Sequence, residues 1–242
     1  MSRSTSHPNA NRLLASLPVK EQRRLLPTLA AAPLGAQKIL HQAGQPIEHI
    51  YFPEKGSLIL LVRPIGDGKD LEAGLVGFEG AAGVEVFLGS HAAQFTAKVL
   101  ARGESLRMKV DAFKAEVRND SPLARRLRHF IEFLLLGTFQ VVGCSSYHSL
   151  EEHFCSLLLR LQNVSGRKEH DITHKQFARI MGVRRVGITQ VARRLQQAGL
   201  IRYRWGKLAI LDRQGLKARA CVCHDEIEKA RLHLLNSLKP RP

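Results

Sequence analysis

The stretch "MGVRRVGITQVARRLQQAGLIR", residues 181–202, threads an evenly spaced apolar series among five arginines and brackets it with Gly182 and Gly199. Ile188, Val191, Ala192 and Leu195 follow the i, i+3, i+4, i+7 pattern, which predicts a helix from about Arg184 to Ala198 with one buried face. At about 100° per residue, Val186, Gln190, Arg193 and Gln197 point the opposite way, with Arg185 and Thr189 on one flank. Gly182 supplies a left-handed turn before the helix and Gly199 stops it.

Upstream, Thr173 is the expected N-cap of "HKQFARIM", with Phe177 and Ile180 facing inward and Val183 expected to plug the angle between two helices. Downstream, "LIRYRWGKLAIL" reads as two short strands around Trp205-Gly206, a hairpin carrying Arg202, Arg204 and Lys207. Two angled helices followed by a basic hairpin make a winged helix-turn-helix.

Charge says what such a module faces. The chain of 242 residues carries a formal +16, with 37 Lys and Arg against 21 Asp and Glu, which points to a polyanionic partner. Residues 165–213 hold 12 of those bases and 3 acids, and no acid occurs from 172 to 211. A merely solvated helix would intersperse glutamates with its lysines. The outward Arg185, Val186, Thr189 and Gln190 suit the major groove, where Arg reads guanine, Gln reads adenine and an apolar group meets the thymine methyl. Thr173, His174, Lys175, Arg184, Arg193, Arg202, Arg204 and Lys207 are the expected phosphate contacts, making double-stranded DNA the expected partner.

The first half has another texture. Residues 1–110 carry 13 basic and 9 acidic groups, an ordinary mixed surface. "ANRLLASLPVKEQRRLLPTLAAAPL" predicts one or two short helices interrupted by prolines, so residues 1–36 are read as a helical segment. Short apolar runs with turns at Glu54-Lys55-Gly56 and Gly66-Asp67-Gly68 then predict an antiparallel roll over 37–110.

Ser121-Pro122 opens a long helix to about Gly143 with two apolar stripes. Leu123, Leu127, Phe130, Leu134 and Val141 form the first, assigned to dimerisation; Ile131, Leu135, Phe139 and Val142 form the second. One stripe can face the roll, and the other needs a partner, most economically a twofold-related copy. Residues 111–148 are thus a dimerisation helix and hinge, 149–216 the winged helix-turn-helix beginning with a Ser149–Glu152 capping box, and 217–242 a tail. The fold class is α+β: an antiparallel β-roll, a long dimerisation helix and a C-terminal winged helix-turn-helix.

The residues quoted from 172 to 216 resemble the DNA-binding domain of Crp/Fnr regulators, and "IYFPEKGSLILLV" resembles the early strands of their sensor roll. The resemblance covers roughly residues 10–216. It implies a cyclic-nucleotide-binding-like roll and a homodimer that binds palindromic DNA to regulate transcription with RNA polymerase. It also implies a recognition helix beginning Arg-Glu, with a second Arg one turn later. Arg185 matches; Val186 stands at the Glu position and Gln190 at the later Arg, so the operator should differ.

Cyclic-nucleotide binders of this family use a Gly-Glu pair for ribose and an Arg-Ser or Arg-Thr pair for phosphate. Here no arginine lies between Arg63 and Arg102, Gln94 and Phe95 stand near the Arg-Ser position, and Glu79 precedes Gly80. Burying an uncompensated phosphate is costly, so the expected effector is an unidentified small molecule other than cyclic AMP. Lys98 substitutes only if it turns inward.

No cofactor and no metal site are expected. Iron-sulfur members carry an N-terminal cysteine cluster, and no cysteine precedes Cys144. His41, His49 and His91 lack tight ligand spacing, and "CVCH", with Cys221, Cys223 and His224, is a weak soft-ligand or redox motif. Cys144, Cys155, Cys221 and Cys223 read as reduced thiols in a cytoplasmic protein. Glu132 and Gln140 speak against a membrane-spanning helix.

No P-loop, nucleophile elbow or paired-carboxylate motif supports catalysis. Two alternatives remain distinguishable: a nonspecific nucleic-acid binder would show steep salt dependence without sequence preference, and a cupin-like roll enzyme would need a converging metal triad.

Overall fold

The computed structural model describes residues 11–66, 70–118 and 120–239. Asp67 and Gly68 of the expected Gly66-Asp67-Gly68 turn, the first ten residues and the last three lie outside the described residues. Two short helices, α1 (Arg12–Ala15) and α2 (Val19–Leu25), lead into seven strands: β1 (Leu29–Leu34), β2 (Ile39–His41), β3 (His49–Pro53), β4 (Leu58–Pro64), β5 (Asp70–Val76), β6 (Thr96–Ala101) and β7 (Gly103–Lys109). They form two antiparallel sheets, β1-β7-β3 and β2-β6-β4-β5. The roll therefore begins at Leu29, inside the segment expected to be helical, and Pro33 is tolerated because β1 is an edge strand.

The second sheet is apolar on both faces. Ile59, Leu61, Val76, Ala97 and Val99 enter the roll core, while Leu58, Leu60, Val62, Leu75 and Leu100 join the core of the C-terminal half. This is the period-two alternation of a strand used twice. Two ion pairs cross the same boundary, a buried Arg160–Glu72 contact of 2.7 Å and Arg179–Asp70 at 2.6 Å.

After the short α3 (Val110–Glu116), Ser121 caps the 26-residue α4 (Pro122–Tyr147), which runs one turn past the expected end. By length and mean hydropathy alone α4 would pass as a membrane span. One of its faces is instead closed against the roll. Leu123, Leu127 and Phe130 are fully buried in the chain's own core, Val141 is buried, and Leu134 packs half-buried beside them. The stripe assigned to dimerisation is thus already occupied within the chain. The free stripe is the other one: Leu135, Phe139 and Val142 are exposed, Phe139 at 65%, as is neighbouring Leu136, while its first member, Ile131, packs half-buried against the roll core.

The C-terminal half contains α5 (Leu150–Ser165), β8 (Glu169–Asp171), α6 (His174–Ile180), α7 (Arg185–Gln197), β9 (Ile201–Arg204), β10 (Lys207–Ile210), α8 (Arg213–Arg219) and α9 (Val222–Ser237). The Ser149–Glu152 capping box forms. The segment read as a polar loop, "NVSGRKEHD", ends in β8, which pairs with β10 and widens the hairpin to a three-stranded sheet. The expected tail is not a tail: α9 packs along α4, and Ile227, Leu234 and Leu238 complete the roll core.

Candidate nucleic-acid interface

The geometry at α7 follows from its ends. Gly182 adopts φ +65° and Gly199 φ +72°, left-handed values that admit the chain into and out of the helix without Cβ strain. Thr173 caps α6 in a reciprocal box with Gln176. Ile188, Val191, Ala192 and Leu195 are buried, so the opposite face is fixed outward. Arg184, Arg185, Val186, Thr189, Gln190 and Arg193 are all exposed, with Val186 at 66%. Val183 does not plug the helix angle; it is exposed, and its N–H donates to the Ala178 carbonyl.

A side-chain relay braces the N-terminal end of α7. The His174 ring stacks on Tyr203 with centroids 4.2 Å apart, and its Nδ1 lies 3.1 Å from the Thr189 hydroxyl, itself 3.1 Å from the Arg185 carbonyl. Tyr203 donates its hydroxyl to the Ile172 carbonyl. Partial burial, reinforced by the Arg185 charge, holds the His174 pKa below its ordinary value. That shift favours the neutral ring, in which one ring nitrogen still carries a proton to donate. Its place is that of a spacer between α6, α7 and β9, and it engages the hydroxyl of Thr189.

The hairpin turns at Trp205 (φ +54°) and Gly206 (φ +76°), the paired left-handed conformation of a two-residue loop. Arg204 and Lys207 flank the tip as register partners and are exposed. Arg202 is exposed and 3.4 Å from Glu169 of β8, a solvent-screened pair that leaves its charge available to a phosphate. Trp205, placed at the turn by the sequence, is 87% exposed at the tip.

Inside the roll, the segment near the expected phosphate position carries a buried carboxylate. Glu85 is buried, and burial pushes its pKa up, an effect opposed by the nearby backbone amides, those of Gln94 and Phe95 among them. At Gly80, a Cβ would come within 2.0 Å of the Phe130 ring, so α4 closes directly on this loop. Lys98 does not turn inward: its β6 neighbours Ala97 and Val99 do, while Lys98 lies with Asp70 and Arg179 at the boundary with the C-terminal half.

Nor do the roll histidines gather. His41 Nε2 donates to the His49 carbonyl at 2.8 Å, the two rings flank Tyr51, and His91 is exposed. Among the described residues the one compact ligand-type group is Cys144, Cys221 and Cys223.

Glu79 is 1% exposed and 3.7 Å from Arg231 of α9; burial, partly offset by Arg231 and Arg12, pushes its pKa from 4.5 up to about 7. The folded state then holds this proton more tightly than the unfolded chain. The contribution to stability is fully present below pH 4.5 and is lost as pH rises through about 7. Denaturant midpoints measured between pH 5 and 8 should fall with rising pH more in the unaltered protein than in Glu79→Gln. Parallel curves would show that Glu79 does not titrate there.

Residues 152–219 match the Crp-like helix-turn-helix domain. The chain has the Crp/Fnr fold. Among solved structures, FixK2 from Bradyrhizobium japonicum aligns over 80% of this chain and 98% of its own, with TM-score 0.67 and 12% identity. A CRP/FNR-family transcriptional regulator from Thermus thermophilus aligns over 79% and 98%, with TM-score 0.63 and 22% identity. The c-di-GMP-responsive global regulator CLP from Xanthomonas campestris aligns over 80% and 99%, with TM-score 0.60 and 16% identity. No curated protein matches the sequence. In the Crp/Fnr fold, α7 is the second helix of the helix-turn-helix and β9–β10 is the wing.

Proposed function

We propose that this chain is a sequence-specific DNA-binding regulator of transcription, not an enzyme, acting in the cytoplasm as a homodimer on an inverted-repeat operator. The observation that carries the reading is the outward face of α7: Arg185, Val186, Thr189 and Gln190 project from a helix whose other face is buried and whose surroundings hold no acid from 172 to 211. Arg185, Val186 and Gln190 read bases, with the Thr189 methyl at their flank. Thr173, Lys175, Arg184, Arg193, Arg202, Arg204 and Lys207 hold phosphates, and His174 positions Thr189 rather than binding DNA itself. The free stripe of α4, centred on Phe139, joins the two copies and sets half-site spacing. Activation or repression then follows from contact with RNA polymerase at the bound site.

The buried Glu85 and the lack of any arginine between Arg63 and Arg102 support an effector other than cyclic AMP, since a cyclic phosphate in the roll would go uncompensated. Any signal is a small molecule of different chemistry.

Arg185→Ala is expected to cost about 1–3 kcal/mol on the selected operator and to relax preference at a single base pair per half-site. Lys207→Ala should weaken all sequences alike and make the salt dependence shallower by about one unit of slope. Both are read by fluorescence anisotropy on operator and scrambled duplexes. Equal losses from both variants on scrambled DNA would favour a nonspecific nucleic-acid binder instead.

A further inference from the structure

Cys144, one turn before the end of α4, meets Cys221 and Cys223 at the start of α9 across 77 residues of chain. The three sulfurs lie within 4.8 Å of one another, and Cys144 Sγ is 3.2 Å from Cys221 Sγ. All three are buried and form a small cluster separate from the two large cores. We propose that these three thiols are a binding site for a soft d10 metal ion of the copper(I), zinc(II) and cadmium(II) class.

The geometry fits that chemistry. Metal–thiolate bonds of about 2.3 Å place three sulfurs around one ion roughly 3.8–4.0 Å apart, within the spread seen here after small rotamer changes. Thiolates select soft ions over magnesium or calcium. Cys221 is the N-cap of the 16-residue α9 and Cys223 lies in its first turn, where the helix dipole favours the negative charge that three thiolates bring. Binding is balanced as one ion exchanging its water ligands for three sulfurs while three S–H protons leave to solvent.

A disulfide switch fits less well. A disulfide pair would leave the third sulfur without a role. A metal removes the proton as it binds and uses all three. Its position also has a consequence. The Cys144 carbonyl accepts the His148 N–H that closes α4, so an ion here ties the last turn of α4, just before the hinge to α5, onto α9.

The test is an anaerobic titration of the reduced full-length protein with cadmium(II), following the ultraviolet sulfur-to-cadmium charge-transfer band, with proton release measured calorimetrically in several buffers. The band should saturate at one ion per chain with about three protons released. Cys144→Ser, Cys221→Ser and Cys223→Ser should each weaken binding by more than the roughly 10–100-fold typical of losing a residue that merely orients a ligand. Cys155→Ser, in α5, should leave binding unchanged, and circular dichroism should show all four variants folded. No saturable band, an unaltered band in any of the three variants, or loss on Cys155→Ser would overturn the site. So would a Cys144–Cys221 disulfide forming with hydrogen peroxide in protein that takes up no cadmium when reduced.

Discussion

Phe139→Asp is expected to turn the proposed dimer into a monomer in sedimentation and to lower operator affinity by about 10²–10⁴-fold, the avidity lost when two half-sites are no longer engaged together. The protomer should stay folded, because Phe139 is 65% exposed and touches no core. The same change at Leu127 would be a different experiment: that side chain is fully buried in the roll core, and a charge there would unfold the chain. The contrast separates the two stripes of α4. A Phe139→Asp protein that sediments as a dimer would place the interface elsewhere.

Phe177→Ala is expected to destabilise the winged-helix half by about 3–5 kcal/mol, the range for emptying a buried phenylalanine site. Phe177 is fully buried and meets Phe154 edge-on at 5.0 Å, so the pair pins α6 to α5. The position of α7 depends on α6 through the Gly182 turn and the His174–Thr189 contact. DNA binding should therefore be lost at temperatures where the roll remains folded. Chemical denaturation followed by circular dichroism reads the stability change. A loss below about 1 kcal/mol would mean that neighbouring side chains refill the space.

The winged helix-turn-helix was legible because its local signals agree. Apolar residues at helical spacing, Gly182 and Gly199 at the ends, the Thr173 cap and the Trp205-Gly206 turn each specify the same structure independently. The strands from His49 onward were legible for the same reason. What escaped was set by distant partners. "LAAAPL" reads locally as an alanine-rich helix but is held as an edge strand by β7. "EHD" has no strand character of its own and gains it from β10. The helix α9 interleaves charged residues with Ile227, Leu234 and Leu238, too sparse to announce a buried face, and its partner α4 lies far away in sequence.

The α4 stripes show the limit most sharply. Periodicity finds both, but only the position of the roll decides which is consumed, and it consumes the stripe of Leu123, Leu127 and Phe130. At the site, outward direction was readable at Arg185, Val186 and Gln190. The environment of His174 was not, because its downward pKa shift comes from burial and the Arg185 charge, and its stacking on Tyr203 depends on the folded wing. Cys144 likewise carried no signal until the fold brought it to Cys221.

The central claim, a dimer that reads sequence through α7, is tested most directly by selecting binding sites from random duplexes with the purified protein, with and without cell extract. The expected result is an enriched inverted repeat whose half-sites lie about one helical turn, 34–36 Å, apart. An identical selection with Arg185→Ala should lose preference at one position in each half-site. Tight, salt-sensitive binding with no enriched sequence in either condition would contradict the account.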